Sequence, residues 1–377
     1  MKDRITLFNQ VTGPLFIDIA NVFILEYEEV VLVTGSIEPT YARLNSKIKV
    51  VKKARYKRTK SYQRIISWLL FFLQSFVYLF FNNNYGRILF VTNPPFMPFL
   101  GIFFSKVKVQ GFSILVYDIY PEALLNFGYI NNKSFVYKLW VKLNKKSYKS
   151  ANQIITISNV MKKVLSKSAD KNKIKVIYPW VDNNYIKHIK KSENWFLKKY
   201  DLINKKVILY SGNMGLTHDL ITVLKAAKKL LKKEREYHFL FIGDGAQKQT
   251  LVNFKNNNKL TNVSFLPYQD PEVLPYSFSS ADFGIVSLGT GAEGLSIPSK
   301  TFYFLSAQVA IIAITESGSE IEGLIKNNDC GICIKPNDEK SLIDFLLNSN
   351  EKKINTYKKN SRLLSKKFTI KNAKQFL

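Results

Sequence analysis

The stretch "KVILYSGNMGLTHDL", Lys206–Leu220, runs from an unbroken apolar segment into a turn holding Gly212, Asn213 and Gly215, and then into the helix-start residues Thr217 and Asp219. An apolar run without alternation is what a strand buried on both faces shows, and a glycine turn leading to a helix is the joint of a βα unit. The stretch decides the fold because it restarts a pattern. Upstream, "RITLF", "VVLVTG", "RILFVTNPP", "SILVYDIYP", "NQIITIS" and "IKVIYP" are strand-like runs, most of them separated by segments long enough for a helix. Downstream, "FLFIGDG", "NVSFLP", "FGIVSLG", "AIIAIT" and "CGICI" continue the second series. Two such series predict an α/β chain of two Rossmann-like domains with a boundary near "IYPWVDNNY". The expected division is 1–178, 179–368, and a segment 369–377 that can return to the first domain.

Bulk composition agrees with two domains, since 377 residues are too many for one ordinary core and 46% apolar content can fill two. Lys and Arg number 56 against 28 Asp and Glu, a net charge of +28 that implies attraction to anionic lipid, phosphorylated substrates or nucleic acid. The excess concentrates in residues 1–190, with 29 basic and 10 acidic side chains. The two cysteines, Cys330 and Cys333, build no disulfide framework, and their C-x-x-C spacing lies in a strand-like run without the further ligands of a zinc site. The start, "MKDRITLFNQ", has no secretory signal pattern.

One segment complicates this picture. "IISWLLFFLQSFVYLFF", Ile65–Phe81, has a length at the lower limit for spanning a bilayer and follows a basic run from Lys47 to Arg64 that includes Arg58 and Lys60. A span would put the first strands on the opposite side of the membrane from "RILFVTNPP" and leave the first sheet unclosed. The expectation is therefore a helix lying on an anionic membrane surface, with a protein-covered helix as the alternative.

In open parallel sheets ligands bind beyond the carboxyl ends of the strands, so the strand-to-helix turns are the candidate sites. The Gly212–Gly215 turn lets backbone approach an anion at a helix start, although a simple capped turn explains the same residues. Gly243 and Gly245 end the next strand, and Lys248 follows them as either a phosphate ligand or a solvated lysine. In "AEGLSIPSKTFYFLSA", Ala292–Ala307, Glu293 and Gly294 precede Pro298, which presets a helix entry, and Ser299, which can cap it. Lys300 then falls in the first turn, where a cation opposes the helix dipole unless an anion is bound there. In the first half, Asp118 and Glu122 of "VYDIYPEALLNFG" stand at a strand end, where a carboxylate acts as a base or binds hydroxyls.

Together these residues resemble glycosyltransferase family 4, in particular its branch that builds bacterial cell-surface polysaccharide such as capsule or O-antigen. In the second half the resemblance rests on "YSGNMGLTHDL", "FIGDGAQKQ", "NVSFLPYQDPEVLP", "EGLSIPSK" and "GSEIEGLIKNNDCGICIKPND", and in the first on "TNPPFMP", "YDIYPEALLNFG" and "IITISNVMKKVL". It implies a GT-B fold, two Rossmann-like domains facing each other across a cleft, and a retaining transfer from a nucleotide-sugar, UDP being the commonest base, without a metal or other cofactor. It also implies a lipid-linked or glycan acceptor at the cytoplasmic face of the membrane. Carried over by position, Gly212, Asn213, Gly215, Gly243 and Lys248 lie near the donor diphosphate, and Pro267 and Tyr268 border the base. Glu293 matches the first acid of the family's Glu-x7-Glu motif and holds sugar hydroxyls, while Gly294, Leu295, Ser296 and Ser299 offer backbone contacts. The second acid falls on Thr301, which is no acid but keeps its place as a donor contact, and the Arg and Lys common after the first strand of this half are missing. Lys300 is then the cation left to stabilise the leaving diphosphate, and Asp118 the acceptor-side carboxylate.

An inverting GT-B enzyme is an alternative, distinguished by the anomeric form of its product, and two other classes fit less well. Nucleic-acid binding predicts aromatics interleaved with the basic run, whereas Phe71, Phe72, Phe76, Phe80 and Phe81 fall in the apolar segment. A nicotinamide enzyme needs a G-x-G-x-x-G turn and an acid about 20 residues on, and neither half supplies the pair.

Overall fold

A computed structural model describes residues 2–57, 61–82, 86–106, 111–126, 128–233 and 236–377. Arg58 and Lys60 of the basic run and Phe127 of "YDIYPEALLNFG" lie outside the described residues. The chain folds into two compact units, Met1–Pro179 with Lys371–Leu377, and Trp180–Ile370.

The first unit is built on a parallel sheet of seven strands: β1 (Lys2–Phe8), β2 (Tyr27–Thr34), β3 (Lys49–Lys52), β4 (Arg87–Val91), β5 (Phe112–Val116), β6 (Gln153–Thr156) and β7 (Ile174–Val176). Their spatial order is 3-2-1-4-5-6-7, which reverses direction at β1. Register follows from burial: Leu7 and Phe8 pair with Leu32 and Val33 on one side and with Leu89 and Phe90 on the other, and all six are fully buried or nearly so. Six of these strands match the apolar runs read from the sequence. The seventh, β3, escaped that reading because "KVVK" is short and lysine-flanked. Charged residues suit it to the sheet edge, where they discourage pairing with another chain.

The second unit repeats the scheme with β8 (Lys206–Ser211), β9 (Tyr237–Ile242), β10 (Val263–Leu266), β11 (Phe283–Ser287), β12 (Ala310–Ile314) and β13 (Gly331–Ile334) in the order 10-9-8-11-12-13. Every residue of β9, β11 and β12 is buried, as continuous apolar strands covered on both faces require. Tyr210, Phe239, Phe241, Ile285 and Ile312 form the centre of the core, packed against Leu224, Ala227 and Leu230 of the helix Ile221–Lys233. Burial of each large apolar side chain is worth about 1.5–3 kcal/mol, which offsets the cost of ordering the sheet. Cys333 lies on β13 and both thiols are free, so the C-x-x-C pair is part of ordinary strand packing.

In both units the order reverses where the first strand meets the fourth, and ligand-binding turns lie beyond the carboxyl ends there. Those ends are Phe8 and Val91 in the first unit, and Ser211 and Ser287 in the second.

Candidate functional site

The end of β8 is held by its neighbour. Gly212 has φ +134° and Gly243 φ +133°, and a Cβ added at Gly243 would stand 2.1 Å from the Gly212 carbonyl oxygen. Only glycine permits that backbone approach. The Gly212 amide donates to the Ile242 carbonyl at 2.9 Å, Met214 to Asp244 at 2.7 Å, and Gln247 to Met214 at 3.0 Å, so the two glycine turns form one layer.

Below this layer lies Lys300. The helix Lys300–Ser306 starts so that the lysine side chain runs inward, with Nζ buried 3.6 Å from the centroid of the Tyr210 ring and without a hydrogen-bond partner among the described residues. A Cβ on Gly212 would sit 3.3 Å from that Nζ, so the cation reaches the floor of the turn. Removing the ammonium from water pushes its pKa down to about 7. Residues the sequence reading passed over complete the pocket. His218 Nδ1 lies 2.7 Å from Tyr210 Oη and 2.9 Å from the Asn213 carbonyl. Burial first, and Lys300 second, lower its pKa to about 4, so this ring is neutral at pH 7. Tyr210 Oη also donates to the Asn213 carbonyl, and Gln247 Nε2 donates to the carbonyls of Gly215 and His218. Tyr210 reads as core, His218 as loop and Gln247 as helix surface, so only folding shows that they share one turn.

The sequence candidates divide accordingly. Gly212, Asn213, Gly243 and Lys300 meet here, and the exposed Tyr268 ring borders Gly243, 3.3 Å from where its Cβ would be. Gly215 lies on the same turn under Gln247. Pro267 is exposed beside Tyr268. Lys248 is different: its Nζ faces Asp244 at 3.9 Å, a pair between the first residue of the helix Lys248–Asn257 and the turn before it. Glu293 accepts from the Gly291 amide at 2.8 Å and makes no ion pair with Lys300 among the described residues. Gly294 and Ser296 are half-buried in the same loop.

Three expectations need correction. The Leu295 amide donates to Ala292 at 3.1 Å and the side chain is buried, so it is spent inside the loop. Ser299 occupies the N-cap position but its φ of −59° and ψ of −29° are already helical rather than the extended values of a capping residue, and its side chain makes no capping hydrogen bond. Thr301 is fully buried with its amide bonded to the Pro298 carbonyl at 3.2 Å and its Oγ1 unpaired, so no carboxylate-like group faces out where the second acid of the motif would stand.

In the first unit Asp118 follows β5, and burial raises its pKa to about 6. Glu122 opens the helix Glu122–Asn126 with Oε2 buried and unpaired, and its pKa is raised by the same cause. Among the described residues no group of three or more His, Cys, Asp or Glu is arranged to hold a metal ion.

Two doubly wound α/β units, the second with a cationic pocket under a glycine turn, define a GT-B architecture. Residues 193–363, nearly all of the second unit, match the family Glycosyl transferases group 1. The GT4-type resemblance read from the motifs is borne out. Relatives include the "Probable glycosyltransferase WbjE" of Pseudomonas aeruginosa, 25% identical over 61% of this chain, and the colanic acid biosynthesis glycosyl transferase WcaI of Escherichia coli K12, 25% identical over 60%. Each match spans 57% of the relative's own length. Anabaena Alr3699/HepE, solved in complex with UDP-glucose, superimposes with a TM-score of 0.74 at 14% identity, covering 99% of this chain and 98% of that one, a likeness of fold.

Proposed function

We propose that the protein is a retaining glycosyltransferase that moves a sugar from a nucleotide-sugar, most simply a UDP-sugar, to a lipid-linked acceptor during surface polysaccharide synthesis. The observation that carries this reading is Lys300, whose buried Nζ has no hydrogen-bond partner among the described residues, set under a glycine turn in a glycosyltransferase domain. An unpaired buried ammonium is costly unless an anion completes it. A diphosphate at the turn would be that anion, and Lys300 would stabilise the charge that grows on it as the glycosidic bond breaks. Glu293 would take sugar hydroxyls, Tyr268 would border the base, and Asp118 would serve the acceptor. The relative bound to UDP-glucose supports the donor class, and the WcaI name supports the pathway class.

The helix Ser61–Phe81 supports work at a membrane surface. Trp68, Phe71, Ser75 and Leu79 are buried against the first unit, while Ile65, Ile66, Leu69, Leu70, Leu73, Val77, Phe80 and Phe81 are exposed. Gln10 Nε2 donates to the Ser67 carbonyl at 2.8 Å and the Ala54 amide donates to Gln74 Oε1 at 2.7 Å, which ties the helix to its unit along one side. A helix tied on one face and apolar on the other suits a protein resting on the inner leaflet.

The test is a thermal-shift series with UDP, GDP and dTDP sugars, with and without EDTA, on wild type and Lys300→Ala. A shift with one base that survives EDTA and shrinks in the variant is expected. No shift with any nucleotide would overturn the donor assignment, and an equal shift in Lys300→Ala would overturn the lysine's role. The anomeric form of the product decides between retention and inversion.

A further inference from the structure

The first unit holds a second cluster that the donor chemistry does not use. Tyr56 stacks on Trp68 with centroids 6.1 Å apart, Tyr120 stacks on Trp140 at 6.3 Å, and Trp68 meets Tyr120 edge-on at 6.4 Å. Phe96 closes the group against both tryptophans, at 6.4 Å and 6.3 Å. Such contacts are ordinary in a core. Two observations separate this cluster from one. Tyr56, Phe96, Tyr120 and Trp140 are only half-buried. The donors on its walls are also unspent, since Nε1 of Trp68, Nε1 of Trp140 and Nε of Arg64 are shielded from solvent and have no hydrogen-bond partner among the described residues. Buried polar groups are normally paired, so three unpaired donors around one half-open cluster call for a ligand with acceptor oxygens.

The charges narrow the ligand further. The Arg64 guanidinium lies 5.7 Å from the Trp68 ring centroid, and Asp118 stands two residues before Tyr120 in the turn that follows β5. One cation, one carboxylate, N–H donors and flat ring faces suit a sugar joined to a phosphate. The helix that carries Arg64 and Trp68 into the cluster exposes Ile65, Leu69 and Leu73.

We propose that this cluster is the headgroup site of the lipid-linked acceptor. The sugar ring stacks on the aromatic faces, Asp118 takes a hydroxyl, Arg64 holds the linking phosphate, and the hydrocarbon lies along the exposed side of Ser61–Phe81. The proposal rests on the lipid-linked acceptor read above and supplies the residues for it.

The full chain carrying Trp180→Phe and Trp195→Phe keeps Trp68 and Trp140 as its only indoles, so its fluorescence reports from the cluster. Farnesyl-phosphoglucose is expected to quench it saturably. Arg64→Gln should weaken binding about tenfold through loss of a charge-assisted contact, and Tyr120→Leu by a similar factor through loss of stacking. A UDP thermal shift in the same samples shows that each variant is folded. Equal affinity of both variants and the parent would overturn the proposal, as would equal affinity for farnesyl phosphate without sugar, which would mean lipid contact alone. Variant-sensitive binding of the probe with no UDP shift would support this site and sink the donor assignment instead.

Discussion

At the scale of single residues, Lys300 sets the expectations. Its pKa, pushed down by burial to about 7, lies far below the ordinary 10.5, so the unfolded chain binds more protons between those values. Stability of the ligand-free protein should therefore rise with pH across that window and level off above it. Lys300→Met should abolish the rise and melt higher than wild type near pH 7, by an amount on the order of a few kcal/mol at about 1.4 per pKa unit. Melting curves at pH 7 and pH 9 on both proteins check this. Diphosphate binding favours the charged lysine, so UDP binding at pH 8 should take up close to one proton, visible as a dependence of calorimetric heat on buffer ionisation enthalpy, and Lys300→Met should take up none. Asp118 gives a second titration: with its pKa near 6, transfer rate should fall as pH drops through that value, and Asp118→Asn should lose this limb. Lys300 was legible in the sequence because a lysine in a helix's first turn conflicts with the dipole. His218 and Gln247 were not, since neither breaks any local rule.

At the scale of elements, Asp282 shows how the second unit is stapled. It immediately precedes β11, and its carboxylate accepts from Lys191 Nζ and Lys358 Nζ at 2.6 Å each and from the Val207 amide at 3.0 Å. A helical turn, the start of β8 and the helix Glu351–Ser365 thus share one buried acid. Burial raises its pKa, but the two ammonium groups together outweigh that and leave it lowered. The staple's contribution is present above the ordinary carboxylate pKa of about 4 and is lost as pH falls below it. Asp282→Asn should cost about 3–5 kcal/mol because it leaves two partly buried cations uncompensated, and denaturant unfolding at pH 7 measures this. Strands were the most readable elements, because burial on both faces writes itself as an unbroken apolar run. β3 was not, because an edge strand needs no such run. Ser299 was misjudged for a related reason: the preference of serine for N-caps is local, whereas the helical φ and ψ it adopts follow from the loop before it.

At the scale of the whole molecule, the apolar helix supplies the prediction. Leu69, Leu73 and Val77 are exposed and stabilise nothing inside the first unit, so changing all three to Gln should abolish flotation with anionic liposomes while the UDP thermal shift persists. Equal flotation would remove the membrane role of this face. The sequence by itself determined that the chain is α/β, that it restarts at Lys206, and that its chemistry lies on strand-end turns, because apolar periodicity and glycine placement record local geometry. Only the tertiary structure decided which of those turns meet. It joined Gly212 to Gly243, Lys300 and Tyr210, kept Lys248 beside Asp244, and gathered Tyr56, Arg64, Trp68, Phe96, Tyr120 and Trp140 into one cluster. Such meetings depend on side chains far apart in the chain arriving at one place, and local composition carries no record of that distance.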